Sequence, residues 1–494
     1  MIKGGDYKIY VIFLIQFLVF ALLNGFRVLG TDDIYTIHST SGDYLKSLHQ
    51  AIHFEMQAPL YFLLMNLWRG ISESLFWAKL FHYLSFLISS VFFYKILRIL
   101  VSNRKDIYIL LLFFALHPFL FYISNDLRRY SLSLLFGVIT LYYFIRIYVK
   151  GYNNRKDRIF LILFSTVGIF NDYYHAFLLA SLGAGVIFSD VKNKWNYYLD
   201  MIIPVAGFLM LLRVILYQIG SSGDWPVSYI ESGLLFTSLK HILFLLESQT
   251  YTFLNLGLAG NLLLRLAVIA GLLYLVKKWP PGYPVLYVSA GFMVIIYIIV
   301  IVYLRSTSLL KLEYTAFYYP LIFLCFSLFL VNAFKNNLAR GGAVVAVMAV
   351  FYAGHYDIHS NRFRLHRNLK EISIKVAHSF SDQVVFVFNP KDAAIINFYL
   401  DDQEKKAIGV PGELDFEVYS YSARTIESEE QIRAVLASGI MENSEFYMVF
   451  RNRHLAANTY NAHLLQQYLN ENFELLSEES HGLLLILRYR IKSL

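Results

Sequence analysis

Runs of about 20 mostly apolar residues recur through roughly the first 355 positions of this 494-residue chain, far more than one soluble core can bury. A hydrocarbon core about 30 Å thick needs about 20 such residues at 1.5 Å per residue, so the runs read as membrane spans. Composition agrees: 57% of residues are hydrophobic and 16% charged, with a mean hydropathy of +0.50. The first run, 10–29, follows the basic residues Lys3 and Lys8 with no small-residue cleavage site after it, which makes it a retained span and not a signal peptide. The formal charge of +8 comes from cations in the short loops between apolar runs. There they report orientation by the positive-inside rule, and no nucleic-acid partner is expected. The single cysteine, Cys325, sits within an apolar run, which excludes an intrachain disulfide, a cysteine metal site and cysteine redox chemistry.

With the amino terminus in the cytoplasm, the first span delivers Asp32-Asp33 to the outer side. The run 58–68 is too short to cross and is read as a helix lying at the outer surface. The span 75–97 then brings the chain in to Lys95, Arg98, Arg104 and Lys105, and 107–123 leads out to Asp126. A fourth returns to Arg146, Lys150 and Arg155, two shorter ones turn around Asp172, and later spans fall at 201–219, 253–276, 283–303, 312–333 and 341–354. The total is about eleven. Treating 58–68 as a true span would reverse every later loop and put most basic clusters outside, against the rule. The expected architecture is a polytopic α-helical membrane region, 1–356, in the cell inner (plasma) membrane, followed by an extracytoplasmic α/β domain, 357–494. In that domain 384–388, 446–450 and 483–487 are strand candidates, with helices to about 400 and near 456–469, and the polar stretch 355–368 is the expected boundary.

This topology gathers Asp32, Asp33, Asp126 and Asp172 on one side of the membrane, within outer loops at about 30–74 and 124–130. A carboxylate just outside a span can deprotonate or orient an acceptor hydroxyl or amine. Arginines beside it, here Arg128 and Arg129, can neutralise a phosphate as charge returns to it. Each feature also has an ordinary alternative. The aspartates can cap a helix, the arginines can be interfacial anchors that snorkel, and His175 can be a satisfied polar residue at a helix end. Lys79 and His82 in the second span, and Arg213 and Arg265 in later ones, face either an interface or an internal cavity. Arg265 is the deeper of the two arginines and the better candidate for a lipid phosphate.

Taken in order, Asp32-Asp33, Glu55-Met56-Gln57-Ala58-Pro59-Leu60-Tyr61, Asp126-Leu127-Arg128-Arg129-Tyr130, Asp172-Tyr173-Tyr174-His175 and the stretch from Tyr314 to Pro320 resemble the loops of the GT-C membrane glycosyltransferases. The likeness is to the bacterial branch similar to dolichyl-phosphate-mannose protein mannosyltransferases and to lipid A aminoarabinose transferases. Asp33 stands where the family has glutamate, Gln57 and Ala58 where it has His and Pro, and Glu313 where it often has a basic residue. The resemblance implies inverting transfer of a hexose or pentose from a polyprenyl-phosphate donor to a lipid, glycan or protein acceptor, as in lipid A modification or protein glycosylation. It makes Asp32 the base, with Asp33 and Asp126 as further catalytic carboxylates. Glu55, Gln57, Pro59, Tyr61, Arg128, Arg129, Tyr130, His175 and Arg265 become substrate-binding candidates. No cofactor is expected. The outer carboxylates suit Mg²⁺ or Mn²⁺, but members with phosphomonoester-linked donors generally need no metal. The competing reading is a transporter or lipid flippase, which would spread its charges through the midplane and often shows internal repeats; the chain has no evident repeat.

Overall fold

The computed structural model describes residues 7–26, 28–152, 154–192, 194–221, 283–304, 312–334, 336–378, 383–400, 407–414, 416, 425–440 and 445–492. The expected span 253–276, and Arg265 with it, lies outside the described residues. Four described helices are long and apolar enough to cross a membrane, or five if one bent pair counts as a span.

α1 (Tyr7–Phe26) is the first of these. It is followed by three short helices, α2 (Thr31–Ser39), α3 (Tyr44–His53) and α4 (Leu60–Arg69). The ten residues of α4 extend only about 15 Å, half a hydrocarbon core, in keeping with its reading as a helix that does not cross. α5 (Leu75–Leu100) is a full span. α6 (Arg104–Ala115) and α7 (Pro118–Asn125) form the bent pair, with 44° between them. Pro118 causes the break, because it has no N–H for the preceding turn and its ring clashes with that turn. α8 (Tyr130–Phe144) is buried along its whole length except at Tyr142 and Tyr143, and a π-helical turn, Ile145–Val149, extends it. α9 (Arg155–Asn171) and α10 (His175–Ile187) are the two shorter helices turning at Asp172, and α11 (Lys194–Asp200) leads into α12 (Ile202–Ser221). α13 (Pro284–Leu304) and α14 (Tyr319–Ala333) follow.

Gly137 on α8 is required by a close approach. A Cβ there would lie 2.2 Å from the Phe317 carbonyl oxygen, so only glycine lets the segment before α14 press against the central helix.

α15 (Asn337–His378) has 42 residues, about 63 Å, and carries the chain out of the membrane region without interruption. The polar stretch expected as a domain boundary therefore lies inside a helix. It contains neither proline nor glycine, so nothing in it stops the helix, and polarity alone marks exit from the apolar region. The sheet begins at β1 (Val384–Phe388) and continues with β2 (Ala407–Val410), β3 (Glu445–Arg451), β4 (Phe473–His481) and β5 (Leu484–Ile491). Its order is β2-β1-β3-β5-β4. β1 pairs in parallel with β2 and β3, while β5 runs antiparallel to β3 and β4. The expected strands are present; β2 and the polar edge strand β4 are additions.

Alternation along β1 divides the packing. Val385 and Val387 join Leu369, Ile372, Ile395 and Ile396 from α15 and α16 (Pro390–Tyr399). Phe386 and Phe388 face Ile432, Leu436, Leu465 and Leu469 from α17 (Glu429–Gly439) and α19 (Ala462–Asn472); between them α18 (Asn452–Ala456) follows β3. The first of these cores is continuous with Ile34, Tyr61, Phe62 and Leu127 of the membrane region, so the sheet domain is built onto the short helices after α1.

Candidate active site

The site is organised by α2, whose two aspartates occupy its first turn. Asp33 reaches back to its own cap: Oδ2 accepts from the Gly30 N–H at 2.7 Å, and Oδ1 accepts from the Leu127 N–H at 2.8 Å. It is 2% exposed. Both oxygens are thus committed to backbone donors, one at the helix N-terminus and one in the loop after α7. Asp33 clamps two loops together. In this structure Asp33 serves as the cap of α2, whereas the sequence also made it a candidate catalytic carboxylate.

Asp32 stays accessible, with its side chain 41% exposed, and its Oδ1 lies 3.4 Å from Nη2 of Arg128. Thr36 is one turn on and shares this face; its Oγ1 accepts from Arg128 Nη1 at 3.3 Å. Nη1 also donates to Glu55 Oε2 at 2.5 Å, and Glu55 Oε1 accepts from Ser39 at 3.2 Å. Asp32, Thr36 and Ser39 are spaced i, i+4, i+7, so one stripe of α2 serves this cluster. Arg128 is buried, yet its Nε has no hydrogen-bond partner among the described residues. Burial opposes its charge, but the Glu55 and Asp32 carboxylates outweigh that and hold the guanidinium charged. Burial also pushes the Glu55 carboxyl up, with Arg128 opposing.

The neighbouring Arg129 has a different setting. Its Nη1 donates to Gln57, its Nε lies 3.5 Å from Asp172, and the Tyr130 and Tyr314 rings stand 5.6 and 5.8 Å from it. Tyr174 packs edge-on against Tyr314 and completes the surround. Asp172 keeps Arg129 charged against its burial, and Asp172 itself accepts from Ser133 at 2.9 Å and from the Tyr174 N–H at 3.1 Å.

Glu55 and Gln57 reach adjacent arginines because Met56 between them has φ +52°, a left-handed conformation that costs a residue with a Cβ roughly 1–2 kcal/mol. Gln218 of α12 holds this bend by donating to the Ile52 and Gln57 carbonyls, both at 3.2 Å. From α4, Arg69 caps the far end of α2, donating to the Ile37 carbonyl at 2.5 Å and to Thr40 Oγ1 at 2.9 Å.

Pro59 is the N-cap of α4. Tyr61 is fully buried and contacts His82 at 3.2 Å, and His82 contacts Ser131 at 2.8 Å, so Tyr61 braces α4 against α5 and α8. Asp126, 7% exposed, is the C-cap of α7. His175 stands apart from this network. It is fully buried, 3.3 Å from Thr140, and a Cβ at Gly168 would lie 2.6 Å from its ring; it packs α10 onto α8 and α9. Thr36, Ser39 and Gln218 were not anticipated. Helical spacing from Asp32 points to the first two, whereas Gln218 carries no local signal.

The opposite stripe of α2 (Ile34, Ile37, His38) lines a cavity of ≈ 540 Å³ whose other wall includes Ala393, Phe398 and Phe416 of the sheet domain. Phe416 stacks on His38 with centroids 4.2 Å apart, and the Leu29 N–H donates to the Tyr399 hydroxyl at 2.9 Å. Among the described residues no three His, Cys, Asp or Glu side chains are placed to share a metal ion.

The described residues combine a membrane-helical body, loops that pack carboxylates around two arginines, and a sheet domain seated on those loops. The chain matches the structure of ArnT from Cupriavidus metallidurans bound to undecaprenyl phosphate with a TM-score of 0.56 at 14% identity, covering 98% of both chains. The apo form of ArnT gives 0.55 at 14% identity, over 96% of this chain and 97% of that one. The apo oligosaccharyltransferase of Archaeoglobus fulgidus is more distant, at 0.47 and 11% identity, over 96% of this chain and 73% of that one. No protein-family model matches the chain, and no curated protein does. The chain has the GT-C fold, and the fold likeness runs its full length.

Proposed function

We propose that the chain is an integral-membrane glycosyltransferase that moves a sugar from a polyprenyl-phosphate donor to an acceptor on the extracytoplasmic side. The observation that carries this reading is Asp32, an accessible carboxylate held against the buried cation Arg128 where the first span ends. Asp32 takes the proton of the acceptor hydroxyl or amine as that group attacks the anomeric carbon. The bond from that carbon to the phosphate oxygen breaks on the opposite face, so configuration inverts, and Arg128 stabilises the charge returning to the phosphate. Asp33, Glu55 and Arg69 position these groups, while Gln57 and the tyrosines hold Arg129. The fold supports a lipid-linked donor, because ArnT shares it over both chain lengths and has been captured with undecaprenyl phosphate. Clustering of the carboxylates at one set of loops favours transfer chemistry over a transport path through the midplane. The cavity behind α2, walled partly by the sheet domain, offers a place for the acceptor's body. The setting is the inner membrane, with that domain outside the cytoplasm and no metal in the chemistry.

The test is incubation of the purified chain in lipid nanodiscs with a panel of labelled polyprenyl-phosphate sugars and an envelope extract as acceptor. Product with accompanying free polyprenyl phosphate supports the reading. Product from nucleotide sugars alone, or none from a well-folded preparation, overturns it.

A further inference from the structure

Both cluster arginines have a buried Nε with no hydrogen-bond partner among the described residues; they differ in the carboxylate beside that edge, which is the buried Asp172 for Arg129 and the accessible Asp32 for Arg128. Arg129 is enclosed by Gln57, Asp172 and aromatic rings. On Arg128 the strong partners, Glu55 at 2.5 Å and Thr36 at 3.3 Å, both sit on Nη1. The other edge of the fork, Nε with Nη2, is the one a phosphate or carboxylate engages side-on with two parallel bonds. Here that edge carries one long contact, Asp32 at 3.4 Å from Nη2, and its Nε is buried with no hydrogen-bond partner among the described residues.

We infer that the donor phosphate and the Asp32 carboxylate compete for the Nε–Nη2 edge of Arg128, so that arrival of the lipid carrier is what releases Asp32 to act as base. This rests on the donor class proposed above. Without carrier, Asp32 is tied to a cation and is a poorer proton acceptor. With carrier bound, the phosphate takes both nitrogens of the edge, Glu55 and Thr36 keep Nη1 in place, and Asp32 turns toward the acceptor. Because the base is free only when a donor is present, its activation is linked to loading of the site.

The competition has a signature that general charge repulsion lacks. Asp32→Asn and Glu55→Gln each remove one negative charge from the same guanidinium, but from different edges. Binding of undecaprenyl phosphate to the full chain in detergent is measured for the wild type and both variants, each at matched folded yield. Asp32→Asn is expected to bind about tenfold more tightly, and Glu55→Gln no more tightly than the wild type. Unchanged or weaker binding in Asp32→Asn overturns the inference, and so does equal tightening in both variants, which marks a bulk charge effect. Failure of the wild type to bind undecaprenyl phosphate overturns the donor class itself and the competition with it. The Asp32 side chain is 41% exposed, so its variant is expected to fold.

Discussion

Neutralising Asp32 and neutralising Asp33 should give opposite phenotypes, although the two residues are adjacent and chemically identical. Asp33 is buried and accepts from the Gly30 and Leu127 N–H groups at 2.7 and 2.8 Å. Hydrogen bonds to a charged group contribute about 1.5–3 kcal/mol each. Asparagine keeps one acceptor oxygen and turns an amide N–H toward the other donor, so Asp33→Asn should cost about 2–3 kcal/mol, and Asp33→Ala, which orphans both donors, about 3–5 kcal/mol. Asp32 pairs with Arg128 at 3.4 Å with its side chain 41% exposed, a contact that solvent screens to about 0–1 kcal/mol. Asp32→Asn should therefore leave stability nearly unchanged while lowering kcat by about 10²–10⁴-fold through loss of the base. Membrane proteins of this size commonly unfold irreversibly, so the comparison is of apparent thermal midpoints at one scan rate, beside transfer rates at matched folded yield. An Asp33→Asn protein as stable as the wild type but inactive would refute the division of roles, as would an Asp32→Asn protein that is unstable.

Three further outcomes follow from particular contacts. Burial raises the Glu55 carboxyl, so as pH falls it takes a proton before an exposed carboxylate would, and Arg128 loses its 2.5 Å partner. Transfer rate against pH should show an acid limb above the ordinary carboxylate range, and an identical limb in Glu55→Gln would contradict this. His454 in the sheet domain is held down to about 4 by burial and by Arg451. Its neutral form fits the fold, so its contribution is fully present above the unfolded value of about 6.5 and is lost as pH falls from there toward 4. The thermal midpoint should drop on acidification across that window, and less so in His454→Gln. Gly137→Ala places a methyl 2.2 Å from the Phe317 carbonyl oxygen; the overpacking should cost about 1–3 kcal/mol, shift Tyr314 away from Arg129 and reduce transfer, whereas unaltered stability and rate would show that the segment yields freely.

The runs that form α1, α5, α8 and α12 were readable as spans because each must satisfy its backbone within about 20 apolar residues. Asp32 and Arg128 were each singled out in the sequence, on two different loops, and the structure places them 3.4 Å apart. The separation of Asp32 from Asp33 was not readable, because it depends on the phase of a nine-residue helix whose cap is Gly30, without the side-chain oxygen that usually announces a capping box. Polar residues after 354 suggested a domain boundary, but a helix continues through polar sequence until a breaker intervenes, and none does before His378. β4 is mostly exposed at the sheet edge, so it lacks the apolar alternation that reveals a half-buried strand; what fixes it is a hairpin through Gly482 at φ +62°. The sequence leaves His175 open between a satisfied polar residue at a helix end and a site role. Its actual partners, Thr140 and Gly168, are set by helix packing that no local pattern encodes.

The most direct measurement is sugar transfer from a labelled polyprenyl-phosphate donor by the wild-type chain and by Asp32→Asn, side by side in nanodiscs at equal folded yield. The account predicts transfer with inversion by the wild type and its collapse in Asp32→Asn while carrier binding persists. Full activity in Asp32→Asn would contradict it, because no other accessible carboxylate in the described cluster is held against Arg128.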